Sequence, residues 1–356
     1  MLFDSLLKLV NQAREGETNW IPFPTRRLSK HIGIGDSTYY LIGGDPGTGK
    51  SAFTHFCFIL HLYIIMKSDK YNGPKFTVTL FSLERSKEFI VAKWCAWYLL
   101  VKYSILTDVK TILGRTVNND IIKDDDFYNK ILECRAFIDE LESTMLNIID
   151  DPQNPTSIWK YMNSYAQQVG EIDKSDEENP IYVPNDKNMI NVFIVDHIGK
   201  VRSEGMDDRK TLAKLSEYCG LLRDRYSFSP VLVSQFNRSL SDSTRRTRLT
   251  LAPEKSDFKG ASNMYEDADI VLGMFNPHEY HMSEELGYNI RGFINSEGYN
   301  RYRSIHVLKN HFGADNLSAG MGFIGETGHF RELPMPHNMT TQDYQRFANP
   351  KATIRK

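Results

Sequence analysis

Residues 41–51 read LIGGDPGTGKS, and no other stretch of the chain limits its fold as tightly. Gly44, Asp45, Pro46, Gly47, Thr48, Gly49, Lys50 and Ser51 satisfy the spacing GxxxxGK followed by Ser or Thr. The pattern works only where a strand delivers the glycines and a helix departs from them. Successive backbone N–H groups then curl around phosphate oxygens, and the positive end of the helix dipole faces the same anion. Both flanks are present: residues 38–42 are a β-prone run, and residues 51–66 are an apolar stretch of helical length interrupted by His55 and His61. In this setting residues Gly44 to Ala52 form a cradle for a triphosphate. Lys50 reaches the β- and γ-phosphates, and the Ser51 hydroxyl holds Mg2+.

The rest of the chain repeats the strand–helix alternation. Residues 76–81 (FTVTLF), 189–195 (MINVFIV), 230–234 (PVLVS), 268–274 (ADIVLGM) and 304–309 (SIHVLK) read as short apolar strands. Residues 87–106 and 211–226 read as helices between them. Apolar strands separated by helices predict an α/β fold with a mainly parallel sheet covered on both faces. Residues 20–25 (WIPFPT) form an extended connector because two prolines block a helix. The acidic segment 171–188 reads as a surface insertion, residues 278–300 as a hairpin or flap, and residues 336–356 as a loosely held tail. Residues 2–14 place Leu2, Phe3, Leu6, Leu7, Leu9 and Val10 at near-helical spacing. This helix either packs on its own domain or docks on a neighbouring subunit, and periodicity does not separate the two.

Composition narrows the setting. The net charge of −2 leaves any nucleic-acid surface to a local basic patch. Arg245, Arg246 and Arg248 form one candidate, a loop that either tracks a phosphate backbone or is a solvated face. Lys200, Arg202, Arg209 and Lys210 form another. The four cysteines are widely spaced with no CxxC pair, which fits a reducing cytoplasm and argues against a disulfide framework. The N-terminus lacks the features of a signal peptide, and no apolar run is long enough to span a bilayer, so a membrane is not an expected partner.

Three polar residues end predicted strands where open α/β sheets place their ligands. Asp196 ends MINVFIV and suits a carboxylate that holds Mg2+ and its water. His197 follows it, so a base that aligns an attacking water must come from elsewhere. Glu84, in the turn after FTVTLF, is the candidate base. Gln235 ends PVLVS, and its amide can bond both water and γ-phosphate and so sense which nucleotide is bound.

Taken together, GGDPGTGKSAF, FSLERS, NVFIVDHIGKV, VLVSQFNRS and SDFKGASNMYEDADIVLGMF follow the order and approximate spacing of a known family. Over residues 20–333 the chain resembles the DnaB-type replicative helicases, ring ATPases with a RecA-like core. The resemblance implies ATP and Mg2+ as cofactors, hydrolysis at subunit interfaces of a homo-oligomeric, hexameric ring, and movement along single-stranded DNA. A primase or helicase loader is the further implied partner. By position, Lys50 and Ser51 bind phosphate and Mg2+, Glu84 is the catalytic base, Asp196 the Walker B carboxylate and Gln235 the phosphate sensor. Lys259 and Gly260 fall on a loop facing DNA, where the family carries an Arg-Glu pair. Residues 1–19 match the linker helix, residues 20–335 match the motor, and the N-terminal collar domain is not expected in this chain.

The family ends its core with a Lys-x-Arg that enters the neighbour's active site. Lys309 matches the first position, but His311 stands in place of the arginine. An imidazole that is largely neutral near pH 7 is a poor substitute for a planar, always-charged fork. Either Arg301 or Arg303 substitutes from nearby, or hydrolysis is slow. The second reading is therefore a RecA-like ATPase that binds nucleotide to control assembly or loading.

Overall fold

The computed structural model describes residues 2–15, 19–117, 120–175, 181–236 and 251–350. Its centre is a nine-stranded sheet. In chain order the strands are β1 (Tyr40–Gly44), β2 (Lys75–Ser82), β3 (Leu146–Ile149), β4 (Met189–Asp196), β5 (Ser229–Gln235), β6 (Ile270–Phe275), β7 (Tyr302–Asn310), β8 (Leu317–Ile324) and β9 (His329–Glu332). Their spatial order is β9-β8-β7-β6-β1-β5-β4-β2-β3. The six strands from β6 to β3 run parallel, and β7, β8 and β9 continue the sheet antiparallel. This is the mainly parallel α/β fold that the apolar runs predict.

The runs are continuous because both faces are covered. Successive side chains of a strand point to opposite faces. Tyr40 and Ile42 enter the core that holds Phe53, Phe58 and Trp94, while Tyr39 and Leu41 enter the core that holds Phe193, Leu215 and Met264. In β4, Ile190, Val192 and Ile194 join the first core, and Phe193 and Val195 join the second.

Helix α1 spans Leu2–Arg14. From Lys50 the chain runs as α2 (Lys50–His55), a π-turn over Phe56–Leu60 and α3 (His61–Met66). Helix α4 (Lys87–Tyr103) stops where Ser104 takes a left-handed conformation at φ 58°. Helices α5 (Asp125–Thr144) and α6 (Pro155–Val169), with strand β3 between them, fill a stretch that periodicity leaves unassigned. Helix α7 (Asp208–Tyr226) is capped by the Asp207 carboxylate, which accepts from the Lys210 N–H at 2.8 Å.

Residues 20–22 are extended as expected, and Trp20–Pro22 pairs with Gly33–Gly35. The acidic segment begins as a hairpin, Gly170–Asp173 with Ile181–Pro184. The loose tail expected after residue 335 is instead ordered over helix α8 (Thr341–Ala348). Its Tyr344 and Phe347 pack against Phe293, Tyr302 and Leu333, and a Thr340–Asp343 capping box starts it. Its aromatic pair sits at i and i+3, a spacing too short to register against the polar residues around it. Strands β8 and β9 also lie outside the sequence reading. The sequence LSAGMGFI of β8 carries two glycines, which depress strand propensity.

Candidate active site

The parallel strands bring their C-terminal ends together by register. Gly44 at the end of β1 lies beside Gln235 at the end of β5, and Ser82 at the end of β2 lies beside Asp196 at the end of β4. These ends, the glycine loop and the start of α2 enclose a cavity of about 570 Å³. Gly47, Gly49, Lys50, Ser51, Glu84, Asp196 and Gln235 all line it, so the proposed nucleotide residues converge as their positions in sequence imply.

The loop is preformed. The Thr48 hydroxyl donates to the Asp45 carbonyl at 2.8 Å, and the Tyr280 hydroxyl, from residues 278–300, donates to Asp45 Oδ2 at 2.6 Å. Gly47 and Gly49 take left-handed φ values of 78° and 94°. A Cβ on Gly49 would also lie 2.8 Å from the Phe323 ring, so glycine is required there on two counts. No side chain caps the start of α2, which leaves its first amides for an anion.

Lys50 is buried, and its Nζ donates to the Asp45 carbonyl at 2.8 Å. Burial pushes its pKa down to about 8, and the charges of Asp45, Asp196 and Glu84 oppose that shift. The Ser51 hydroxyl donates to Asp196 Oδ1 at 2.9 Å. Asp196 is only 7% exposed. Its carboxyl is pushed up to about 6, by burial first and by Glu84 as well, against the Ser51 bond and the Lys50 charge. A hydroxyl touching a carboxylate is a hard-oxygen pair that fits Mg2+, with phosphate and water oxygens completing the shell. Among the described residues no group of three or more His, Cys, Asp or Glu gathers to hold a metal.

A histidine faces each carboxylate. His55 Nε2 lies 3.6 Å from Asp196 Oδ2, and the ring meets Trp94 edge-on at 5.6 Å. Burial, helped by Lys93, holds His55 near pKa 4, so this is not an ion pair at neutral pH. His197 Nε2 lies 3.4 Å from Glu84 Oε2, while its Nδ1 accepts from the Gly199 N–H at 3.1 Å. Burial lowers the His197 pKa against the pull of Glu84.

Among the residues whose place in the site sequence reasoning missed are His55 and Lys93, both on the cavity wall. Lys93 donates to the carbonyls of Gly325 and, at 2.9 Å, of Glu326. Burial pushes it down to about 8. Both residues lie inside helices with nothing at their own positions to mark them. Their place in the site depends on α2 and α4 packing along one face of the sheet.

No protein-family model matches the chain. A curated relative, a probable replicative DNA helicase of Trieres chinensis, is 22% identical over 256 residues, which is 71% of this chain and 46% of the relative. The chain thus spans about half the length of that relative. Among solved structures, an isolated ATPase domain matches with a TM-score of 0.63 and 16% identity, covering 94% of this chain and 99% of that one. A DnaB-like replicative helicase, solved in a study that includes its interactions with primase, matches with a TM-score of 0.62 and 17% identity, covering 92% and 68%.

The fold is that of a DnaB-type ATPase domain. In this fold the strand β7 separates two groups of residues that sequence alone places close together. Its start lies beside the end of β6, where Ser304 pairs with Phe275, and so on the glycine-loop side. Its far end, where Asn310 pairs with Ile270, lies at the opposite edge of the sheet. Lys309 and His311 are therefore not brought to the chain's own cavity. Lys309 Nζ donates to the carbonyls of Tyr265 at 3.2 Å and Glu266 at 2.6 Å, and His311 Nδ1 lies 3.2 Å from Asp269 Oδ1.

This geometry corrects the expectation that Arg301 or Arg303 replaces the missing arginine. Arg303 is buried over the Phe323 ring at 5.1 Å, and its Nε donates to the Thr48 carbonyl at 3.1 Å. Arg301 is buried in a two-pronged bond to the Glu326 carboxylate. Both guanidinium groups are committed inside their own domain, on the side away from His311.

Lys259 and Gly260 lie in a 3₁₀ segment, Lys255–Ala261, where Gly260 is exposed. Phe258 of that segment meets Phe236, the residue after Gln235, at 5.1 Å edge to face. Arg245, Arg246 and Arg248 lie outside the described residues.

Proposed function

We propose that the chain is an ATP-driven, ring-forming DnaB-like DNA helicase motor that hydrolyses ATP between subunits and translocates on single-stranded DNA. The observation that carries this reading is the convergence of Lys50, Ser51, Glu84, Asp196 and Gln235 on one cavity at the sheet edge. Lys50 and the loop amides bind and neutralise the β- and γ-phosphates. Ser51 and Asp196 would hold magnesium, which would supply further neutralisation of the charge that develops there. Glu84 accepts the proton of the attacking water, and Gln235 contacts water or γ-phosphate and reports the nucleotide state.

Assembly is supported by two features. Helix α1 exposes Phe3, Leu6, Leu7 and Val10, an apolar stripe at i, i+3, i+4 and i+7 that the described residues of its own domain leave uncovered. Lys309 and His311 sit at the edge of the sheet opposite their own cavity, so any catalytic part they play is at the site of another copy. A hexameric ring satisfies both. A primase or a helicase loader is the expected further partner, and Lys259, Gly260, Arg245, Arg246 and Arg248 are the proposed DNA contacts.

Single-stranded DNA is expected to stimulate ATP hydrolysis by the purified chain. An unstimulated rate alongside intact ATP-driven oligomerisation would remove the motor and leave a nucleotide-controlled assembly or loading factor. His311 favours that second reading, because it is half-exposed, bound to Asp269 and not an arginine. The substitution His311→Arg separates the two further. If the position serves a neighbour's site, the rate rises at least about tenfold, within the large effects of such arginines. No rise, measured at protein concentrations where rings form, removes the position from catalysis.

A further inference from the structure

Glu84 is poorly held for a residue that must aim at a water. It lies in the turn after β2, is 41% exposed along its side chain, and has the Arg85 guanidinium 3.7 Å from Oε1. Arg85 is itself more than half exposed and lies over the Phe89 ring at 4.8 Å. An exposed arginine at that distance fixes neither the direction nor the distance of the carboxylate toward a water in the cavity. A general base must stand within hydrogen-bond reach of the proton it takes.

His197 lies on the other side of Glu84, and everything about it is fixed. It is 7% exposed. The β2–β4 register sets Ser82 beside Asp196, and the Leu83 N–H donates to the Asp196 carbonyl at 2.8 Å. The two turns that carry Glu84 and His197 are thereby tied at their base. The Gly199 N–H donates to Nδ1, so Nδ1 carries no proton and the ring's single proton is on Nε2. Nε2 lies 3.4 Å from Glu84 Oε2, a contact that is long for a hydrogen bond and of the kind that tightens when substrate binds.

We infer that His197 is a positioning residue that turns Glu84 inward, through Nε2–H to Oε2, and holds it where the attacking water sits. The inference rests on the reading of Glu84 as the base. In this role the effect of His197 passes through the carboxylate, as partners of reacting groups commonly act.

The test is a double-mutant cycle on the full chain, read as steady-state ATP hydrolysis. His197→Ala lowers kcat about tenfold or more, with KM for ATP unchanged within about twofold. His197→Gln, whose amide N–H reaches toward the Nε2 position, restores most of the loss. In a Glu84→Gln background, adding His197→Ala changes the residual rate less than about twofold, because the partner it aims is already gone. A wild-type kcat in His197→Ala, or an equal loss in both backgrounds, overturns the inference. Glu84→Gln alone distinguishes the two levels: full turnover removes the base and the inference together, whereas lost turnover with an unaffected His197→Ala removes the inference alone. The 15N imidazole spectrum of the unsubstituted protein gives a readout independent of turnover. The ring whose Nε2 resonance moves in Glu84→Gln is expected to be the Nε2–H tautomer, and an Nδ1–H tautomer overturns the assignment.

Discussion

Lys50→Ala is expected to abolish binding of ATP and, with it, hydrolysis and ATP-driven assembly. The ammonium is buried at the mouth of the glycine loop, and it donates to the Asp45 carbonyl from its place beside the phosphate cradle. A phosphate chain brings several negative charges into a poorly solvated cavity, where a fixed cation is worth far more than in water. Loss of one such preorganised contact costs about 10²–10³ in rate, and loss of ground-state binding adds to it in kcat/KM. Without nucleotide the variant should not be destabilised. Burial already pushes Lys50 down to about 8, so removing the group removes a desolvated charge. Equilibrium binding of a fluorescent ATP analogue, beside a thermal melt, checks both halves. An affinity within about threefold of the parent would show that the loop amides alone carry the phosphates.

Asp196→Asn is expected to separate stability from activity. The Asp196 carboxyl is raised to about 6 from an ordinary 3.8, mainly by burial. The folded chain therefore binds a proton more tightly than the unfolded chain between about pH 4 and pH 6. Stability falls as pH rises through that window, and the whole cost is present above it. A displacement of that size corresponds to roughly 3 kcal/mol. Asparagine keeps an acceptor for the Ser51 hydroxyl without the charge. At pH 7.5, without nucleotide, Asp196→Asn should melt several degrees above the parent, and the gap should close as pH falls from about 6 toward 4. Mg2+-dependent hydrolysis should fall by about 10² or more, since an amide is a weak ligand for a hard cation. Equal melting temperatures at pH 7.5 would show that the carboxylate is relieved by other contacts.

The site residues that ended strands were legible because strand ends have little freedom. An apolar run covered on both faces must terminate where its partners terminate, so Asp196, Gln235 and the turn holding Glu84 share one sheet edge. His197 was visible only as the residue that breaks an Asp-Glu pair. Its bond to the Gly199 N–H and its contact with Glu84 belong to a turn shape that no local pattern encodes. Arg301 and Arg303 were read as spare cations near His311, eight to ten residues away at most. An extended strand carries its two ends to opposite edges of a sheet, and β7 does so.

The sequence by itself determined the glycine loop, the parallel α/β architecture, and the identities of the lysine, serine, two carboxylates and amide at the sheet edge. These follow from local chemistry: glycine spacing, apolar periodicity and polar strand ends. Tertiary structure alone decided that a histidine stands behind each carboxylate, that Lys93 closes the cavity wall, and that Arg303 locks the glycine loop from within. It also decided that Lys309 and His311 face away from their own site. Each of these depends on contacts between elements far apart in the chain, which side-chain burial and strand register settle only once the sheet is assembled.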